Sequence, residues 1–281
     1  MTVATTLNNQ RTASGRNLFA LLRAVPWTKT RRGLTIPLLL LFSWWAVYHF
    51  GWTKSQLFVP PEKVWDTAKK LYETGYLGTS LYASLQRDII GFVIGTSIGL
   101  LVGTTLGLSR FFENILGPTF HALKQVSLLA WIPLISLWFG LGDAAKVAFL
   151  SLAAFFPVVL NTFEGIRSVP KEFVEVARVF DYSRWQLIRR IVIPSALPSI
   201  ITGIYLALLY SWIATLGAEY LLTSGKGIGN LMTDGREHFW MDQVILGVII
   251  VGLVGFALNV IAGFFERRVL AWRGGTTARF E

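Results

Sequence analysis

The chain has 281 residues, of which 53% are hydrophobic and only 15% charged, with no cysteine and a formal net charge of +10. A soluble domain carries about 25% charged residues, so a soluble fold is excluded, as are disulfide staples and thiolate metal sites. The positive balance reads as the cytoplasmic flanks of membrane helices, not as a nucleic-acid surface.

A basic N-terminal segment, residues 1–32, holds Arg11, Arg16, Arg23, Lys29, Arg31 and Arg32 and no acidic residue. Charge-free runs follow at 33–53, 89–109, 125–142, 147–163, 191–218 and 243–265. Each reaches the roughly 17–25 residues that a helix needs to cross a bilayer. None alternates apolar with polar as barrel strands do. The expected fold is an all-α integral membrane protein with about six transmembrane helices over residues 33–273, and a tail at 274–281. The first run lacks a small-residue cleavage pattern and reads as a retained span.

Counting from a cytoplasmic N-terminus puts 18 basic residues inside, including Arg110 and Lys124, against 8 outside. Both termini are therefore expected in the cytoplasm, and the C-terminal end carries Arg267, Arg268, Arg273 and Arg279. The stretch 54–70 strains the rule; Val64, Ala68, Leu71 and Tyr72 make it an amphipathic helix suited to the outer interface.

Within the spans, Gly91, Gly95, Gly99, Gly103 and Gly107 form a strict spacing of four. At 3.6 residues per turn they make one ridge along a helix that lets another helix come close. Packing within one subunit, a moving seam and a dimer contact all fit such a ridge. Pro133 and Pro157 interrupt the third and fourth runs, and broken helices often line a substrate path. Trp131, Pro133, Trp212 and Glu219 are candidates for that path. Trp131, Trp138 and Trp212 also fit interfacial anchors. Glu219 suits a structural hydrogen-bonding role better, because a carboxylate repels an anionic solute.

No charged residue is expected near the middle of a span; Arg87, Asp88, Lys124 and Glu219 all fall at expected ends. Proton-driven carriers keep such groups in mid-membrane. Gly225-Lys226-Gly227 lacks the upstream glycine and the Ser/Thr of a phosphate-binding loop. No histidine has a partner at metal-ligand spacing, and no Ser–His or carboxylate set suggests an enzyme. An autonomous channel or carrier stays open as the alternative to an energised permease.

The segment 164–194 is amphipathic, charged, and longer than the ~2–8 residues usual between bundle helices. Pro170 opens a helix with Ser168 upstream as a cap, and Val174, Ala177, Arg178 and Asp181 follow at helical spacing. After Tyr182-Ser183 a second helical stretch carries Trp185, Ile188 and Val192 up to Pro194. Two short helices joined by a bend fit a groove on a partner.

Glu175-Val176-Ala177, Asp181 and Ile191-Val192-Ile193-Pro194 keep every spacing of the signature E-A-A, three residues, G, nine residues, I, one residue, L-P. The segment resembles the "EAA" loop of binding-protein-dependent ABC importer permeases, with Val176, Asp181 and Ile193 as departures. Among these it is similar to the permeases for alkanesulfonates, taurine, nitrate and bicarbonate. The supporting words are Ser84-Leu85-Gln86-Arg87, Ile132-Pro133-Leu134, Leu137-Trp138-Phe139-Gly140, Phe155-Phe156-Pro157 and Ala218-Glu219 with Gly227-Ile228-Gly229. The Leu137-to-Gly140 form favours the sulfonate branch.

The resemblance implies a type I importer fold and a bacterial inner-membrane location. It implies a second permease copy, two ATPase subunits that hold the ATP and Mg, and a periplasmic or lipid-anchored solute-binding protein. No cofactor is expected on this chain. Glu175, Val176, Ala177, Arg178, Asp181, Ile191 and Pro194 would then couple to the ATPase. Asp is one of the few residues besides glycine that enters the left-handed conformation the signature glycine supplies.

Overall fold

The computed structural model describes residues 27–51, 58–223 and 225–271. Arg11, Arg16, Arg23, Lys54, Arg273, Arg279 and the tail 274–281 lie outside the described residues. The chain divides into two units, Met1–Pro61 and Glu62–Glu281.

In the first unit, α1 (Trp27–His49) begins before the expected start of the first span and takes in residues assigned above to the basic segment. The helix has 23 residues, and its uncharged part begins at residue 33. Trp44 Nε1 donates to the Val59 carbonyl at 3.0 Å.

The second unit contains the helices α2 (Pro61–Glu73), α3 (Tyr76–Leu108), α4 (Arg110–Lys124), α5 (Ile132–Phe139) and α6 (Asp143–Arg167). They are followed by α7 (Lys171–Val179), α8 (Arg184–Leu187), α9 (Ile193–Leu221), α10 (Ile228–Glu237) and α11 (Met241–Val269). A π-helical turn, Ile188–Val192, fuses α8 to α9, so that Arg184–Leu221 is one run of 38 residues. Pro194 is thus not a boundary. It sits in the first turn of α9, inside that run, and its missing N–H falls where the ladder passes out of the π-helical turn.

Among the described residues, four helices are long and apolar enough to cross a membrane, and the bent pair α4 plus Leu128–Phe139 can supply a fifth crossing. The third crossing therefore departs from the continuous span expected at 125–142. The chain bends by 100° at residues 125–127, between α4 and the run Leu128–Phe139, whose first turn is 3-10 at Leu128–Trp131. Pro133 lies in the first turn of α5 and kinks nothing.

Helix directions follow from the pairings. A Cβ added at Gly91, Gly99, Gly103 or Gly107 would lie 2.6–2.9 Å from the Cβ of Leu150, Val158, Thr162 or Ile166, respectively, and one at Gly95 would meet Ala154 Cβ at 2.9 Å. The glycine ridge is therefore packing within the subunit, pressed against α6. Because both numbers rise together, α3 and α6 run parallel, and the bent pair between them must return across the bundle. Gly165 meets Ser199 while Gly203 meets Asn161, so α9 runs antiparallel to α6. Trp212 Nε1 donates to the Val251 carbonyl and Tyr205 bonds to Asn259, so α11 reverses again. Arg110, Arg167, the α7–α8 segment, Arg267 and Arg268 consequently gather at one end.

At the opposite end α2 is held by Asp242, which accepts from Thr67 Oγ1 at 2.5 Å and pairs with Lys63 at 3.8 Å. Val64 of its expected apolar face is buried, whereas Tyr72 is exposed.

Candidate functional site

The α7–α8 segment owes its shape to local signals. Pro170, at the N-cap, starts α7; Ser168 does not cap it, because its hydroxyl donates back to the Gly165 carbonyl at 3.0 Å. The helix ends with Tyr182 N–H bonded to the Ala177 carbonyl and Asp181 N–H to that of Arg178, both at 3.0 Å. This is the Schellman pattern, which needs a left-handed residue between helix and exit. Asp181 fills that place with φ 52. Ser183 then opens α8 through a capping box, its Oγ accepting from Gln186 N–H while Gln186 Oε1 accepts from Ser183 N–H.

Buried contacts tie this hairpin to the bundle. Ile166, Val192 and Ala196 form a cluster with Val169, Leu187 and Ile200. Arg167 pairs with Glu113 of α4, and the Arg190 guanidinium lies 5.7 Å from the Tyr182 ring centroid. Of the residues matched to the signature, Ala177 is buried, and Ile191 and Pro194 are half-buried. Glu175, Val176, Arg178 and Asp181 are exposed. The outward face also carries Phe173, Val179, Phe180 and Trp185, at 52%, 81%, 71% and 67% exposure. Sequence reasoning placed Trp185 on a helix but passed over Phe173, Val179 and Phe180; the apolar repeat Phe173, Val176, Val179/Phe180, on an otherwise charged segment, was the available signal.

A second polar cluster lies inside the bundle. Glu219 Oε1 accepts from Ser84 Oγ at 2.7 Å and from Arg87 Nη1 at 2.6 Å, and Oε2 accepts from Gly229 N–H at 2.8 Å. Arg87 also pairs through Nε with Asp143 at 2.8 Å and donates through Nη2 to the Lys226 carbonyl. Ser84 Oγ in turn accepts from Ile228 N–H at 3.0 Å. The knot joins α3, α9 and the start of α6 to the segment that enters α10. Lys146, fully buried, is close enough to feel the charges of Arg87, Glu219 and Asp143. Charges thus do lie within the long helices. Both α3 and α6 start before the charge-free runs and take in Arg87, Asp88 and Lys146.

A cavity of about 560 Å³ opens beside α9, lined by residues 124–129, by Phe149, Ala153 and Phe156 of α6, and by Tyr210, Ile213, Ala214 and Gly217 of α9. None of Trp131, Pro133, Trp212 and Glu219 lines it. Trp131 packs on the cluster of Ile135 and Phe149, Trp212 is buried against α11, and Glu219 belongs to the knot. Lys124 does not share the end marked by Arg110. Phe120 packs on Phe155 and Phe156, so α4 ends beside the middle of α6.

Residues 95–271 match the family described as "Binding-protein-dependent transport system inner membrane component". The aliphatic sulfonates transport permease protein SsuC of Escherichia coli (strain K12) is 36% identical over 252 residues, covering 90% of this chain and 93% of that one. Its counterpart in Bacillus subtilis (strain 168) is 35% identical, covering 86% of this chain and 87% of that one. The taurine transport system permease protein TauC of Escherichia coli is 29% identical, covering 84% and 87%. Among solved structures, an amino acid ABC transporter with histidines superposes with a TM-score of 0.59 at 16% identity, over 72% of this chain and 97% of that one. An inward-facing MetNI methionine ABC transporter in its native crystal form gives 0.58, also at 16% identity, over 70% and 97%. At that identity the likeness speaks for the fold. The family match and the relatives agree, and the chain belongs to the inner-membrane components of binding-protein-dependent transport systems: it is a non-catalytic, multi-pass ABC importer permease whose ATPase is a separate subunit.

Proposed function

We propose that this permease imports a small anionic solute, an aliphatic sulfonate, handed over by an extracytoplasmic binding protein. Two copies of the chain pair in the membrane, and two ATPase subunits bind ATP and Mg on the cytoplasmic side. The end that gathers Arg110, Arg167, Arg178, Arg184, Arg189, Arg190, Arg267 and Arg268 is that side, and both termini belong to it. The sulfonate reading rests on the two SsuC relatives and on the sulfonate-like wording of residues 137–140. Nitrate, bicarbonate and taurine are the competing cargoes.

The observation that carries the mechanism is the α7–α8 hairpin. It is fixed to the bundle by buried contacts at its base and exposes Phe173, Val176, Val179 and Phe180 beside Glu175 and Arg178. An apolar face rimmed by charge suits a groove on the ATPase. Glu175 supplies a charge-assisted bond there, while Ala177, Ile191 and Pro194 hold the hairpin against the bundle. ATP-driven closure of the partner then moves α6 and α9 through their direct connection to α7 and α8.

The test is ATP hydrolysis and solute uptake by the purified complex with loaded binding protein, wild type against Glu175→Ala. The variant is expected to insert and assemble but to lose stimulated hydrolysis and uptake. Full-rate transport by the wild-type chain alone in liposomes without ATP would replace this reading with a carrier or channel.

A further inference from the structure

The cavity beside α9 has a composition that bears on the cargo. Residues 149–156 of its α6 wall lie about 9–20 Å along the helix from Asp143, well inside the bundle. Lys124 lines the cavity at this depth, half-buried, and enters no salt bridge among the described residues. A cation inside a membrane protein is costly unless it faces a partner or a solute path. No carboxylate lines the cavity with it. Gln125, Ser127 and the Tyr210 phenol add neutral polar groups, and the remaining wall is aliphatic and aromatic.

The geometry points to this cavity as the halting place of an amphiphilic anion, with Lys124 holding the head group and Phe149, Ala153 and Phe156 receiving an alkyl tail. This rests on the proposed import of a small anion and deepens it. A lysine ammonium brings three donors to the acceptor oxygens of a sulfonate. The apolar wall rewards each methylene taken from water. Nitrate and bicarbonate have no tail to bury, and the ammonium of taurine would lie on that wall without a partner. The volume falls within the roughly 300–1,000 Å³ of small-molecule sites.

The experiment uses the complete complex in proteoliposomes, with its binding protein, and compares uptake of ethanesulfonate and hexanesulfonate. Lys124→Met keeps the stem and removes the charge; it is expected to lower the maximal rate about tenfold or more, with the half-saturating concentration set by the binding protein held. Lys124→Arg is expected to recover most of that rate. A Lys124→Met complex that imports both sulfonates at the wild-type rate overturns the assignment.

Gly217→Val keeps the cation and carries the test if Lys124→Met fails to co-purify with its ATPase. A Cβ at Gly217 would meet Leu129 at 3.5 Å, an ordinary contact, so the larger side chain narrows the cavity. Hexanesulfonate is expected to slow more than ethanesulfonate, and equal slowing of the two overturns the role of the apolar wall. If the wild-type complex imports nitrate and neither sulfonate, the proposed cargo itself fails, whatever the Lys124 variants do.

Discussion

The Arg87–Glu219 knot and the α7–α8 hairpin spend the same residue types in opposite ways. In the knot each guanidinium nitrogen of Arg87 has an acceptor within the chain, and Glu219 receives three donors. In the hairpin Glu175 and Arg178 are exposed beside bare apolar side chains. A charge satisfied internally stabilises the subunit, whereas an exposed charge on a hairpin anchored at its base is free to meet a second molecule. The difference separates Glu219, whose oxygens are satisfied within the subunit, from Glu175, which is exposed and for which we propose the coupling role, although both sit in words typical of the family.

The largest effect that can break this comparison is Glu219→Ala. It leaves Arg87 with Asp143 and the Lys226 carbonyl alone and takes the acceptor from Ser84 Oγ and Gly229 N–H, and removing one partner of a buried pair costs about 3–5 kcal/mol. The expected outcome is loss of the detergent-stable subunit, read from purification yield and thermal unfolding. Arg87→Met with Glu219→Gln removes both charges and should cost less than the two single changes added together. If Glu219→Ala unfolds like wild type and loses only transport, the knot is functional and the division drawn above is wrong.

Next in size is Gly103→Val. The close approach of Thr162 leaves no room for a side chain, so α3 and α6 must separate, at about 1–3 kcal/mol. Thermal unfolding of the purified subunit measures it. Gly78 in the same helix has open space around it, so Gly78→Ala should leave the midpoint where it was.

Those glycines were legible in the sequence because a strict spacing of four in one residue type survives without knowledge of the partner. The facing residues Leu150, Ala154, Val158, Thr162 and Ile166 keep the same spacing but mix sizes and polarity, which hides the ridge. The broken third crossing was hidden too. Residues 125–142 are uncharged throughout, and Gln125-Val126-Ser127 bends the chain without a glycine or proline to mark the place. Arg87 was put at the end of a span and Lys146 was missed because spans were delimited by the absence of charge, a criterion that ends a helix wherever a buried ion pair begins. The hairpin was the most legible part. Pro170 and Asp181 act locally, so their spacing alone carries the start and the end of α7, whereas the cap expected at Ser168 and the boundary expected at Pro194 did not form, and the outward apolar face could be recognised only once Ala177 was seen to be buried.

Val179→Ser probes the hairpin's apolar face. Val179 is 81% exposed, so the unfolding midpoint of the isolated subunit should stay put, while the ATPase should bind about tenfold more weakly. Co-purification at graded salt and detergent, or direct titration of the ATPase, measures it. An unchanged affinity would remove Val179 from the docking face.

The smallest effect is expected at Asp181, and it sharpens the comparison most finely because it alters hairpin shape without touching a partner-facing group. At φ 52 an aspartate tolerates the left-handed conformation, a β-branched residue strains it by about 1–2 kcal/mol, and glycine enters it freely. Asp181→Gly should therefore keep or slightly raise the ratio of stimulated to basal ATP hydrolysis. Asp181→Val should lower that ratio severalfold by misdirecting α8 relative to α7, with subunit stability lowered by no more than that strain. If Asp181→Gly lowers coupling as much as Asp181→Val does, the carboxylate acts on the partner directly, and the residue belongs with Glu175 as a contact, not with Ser183 as a shaper of the turn.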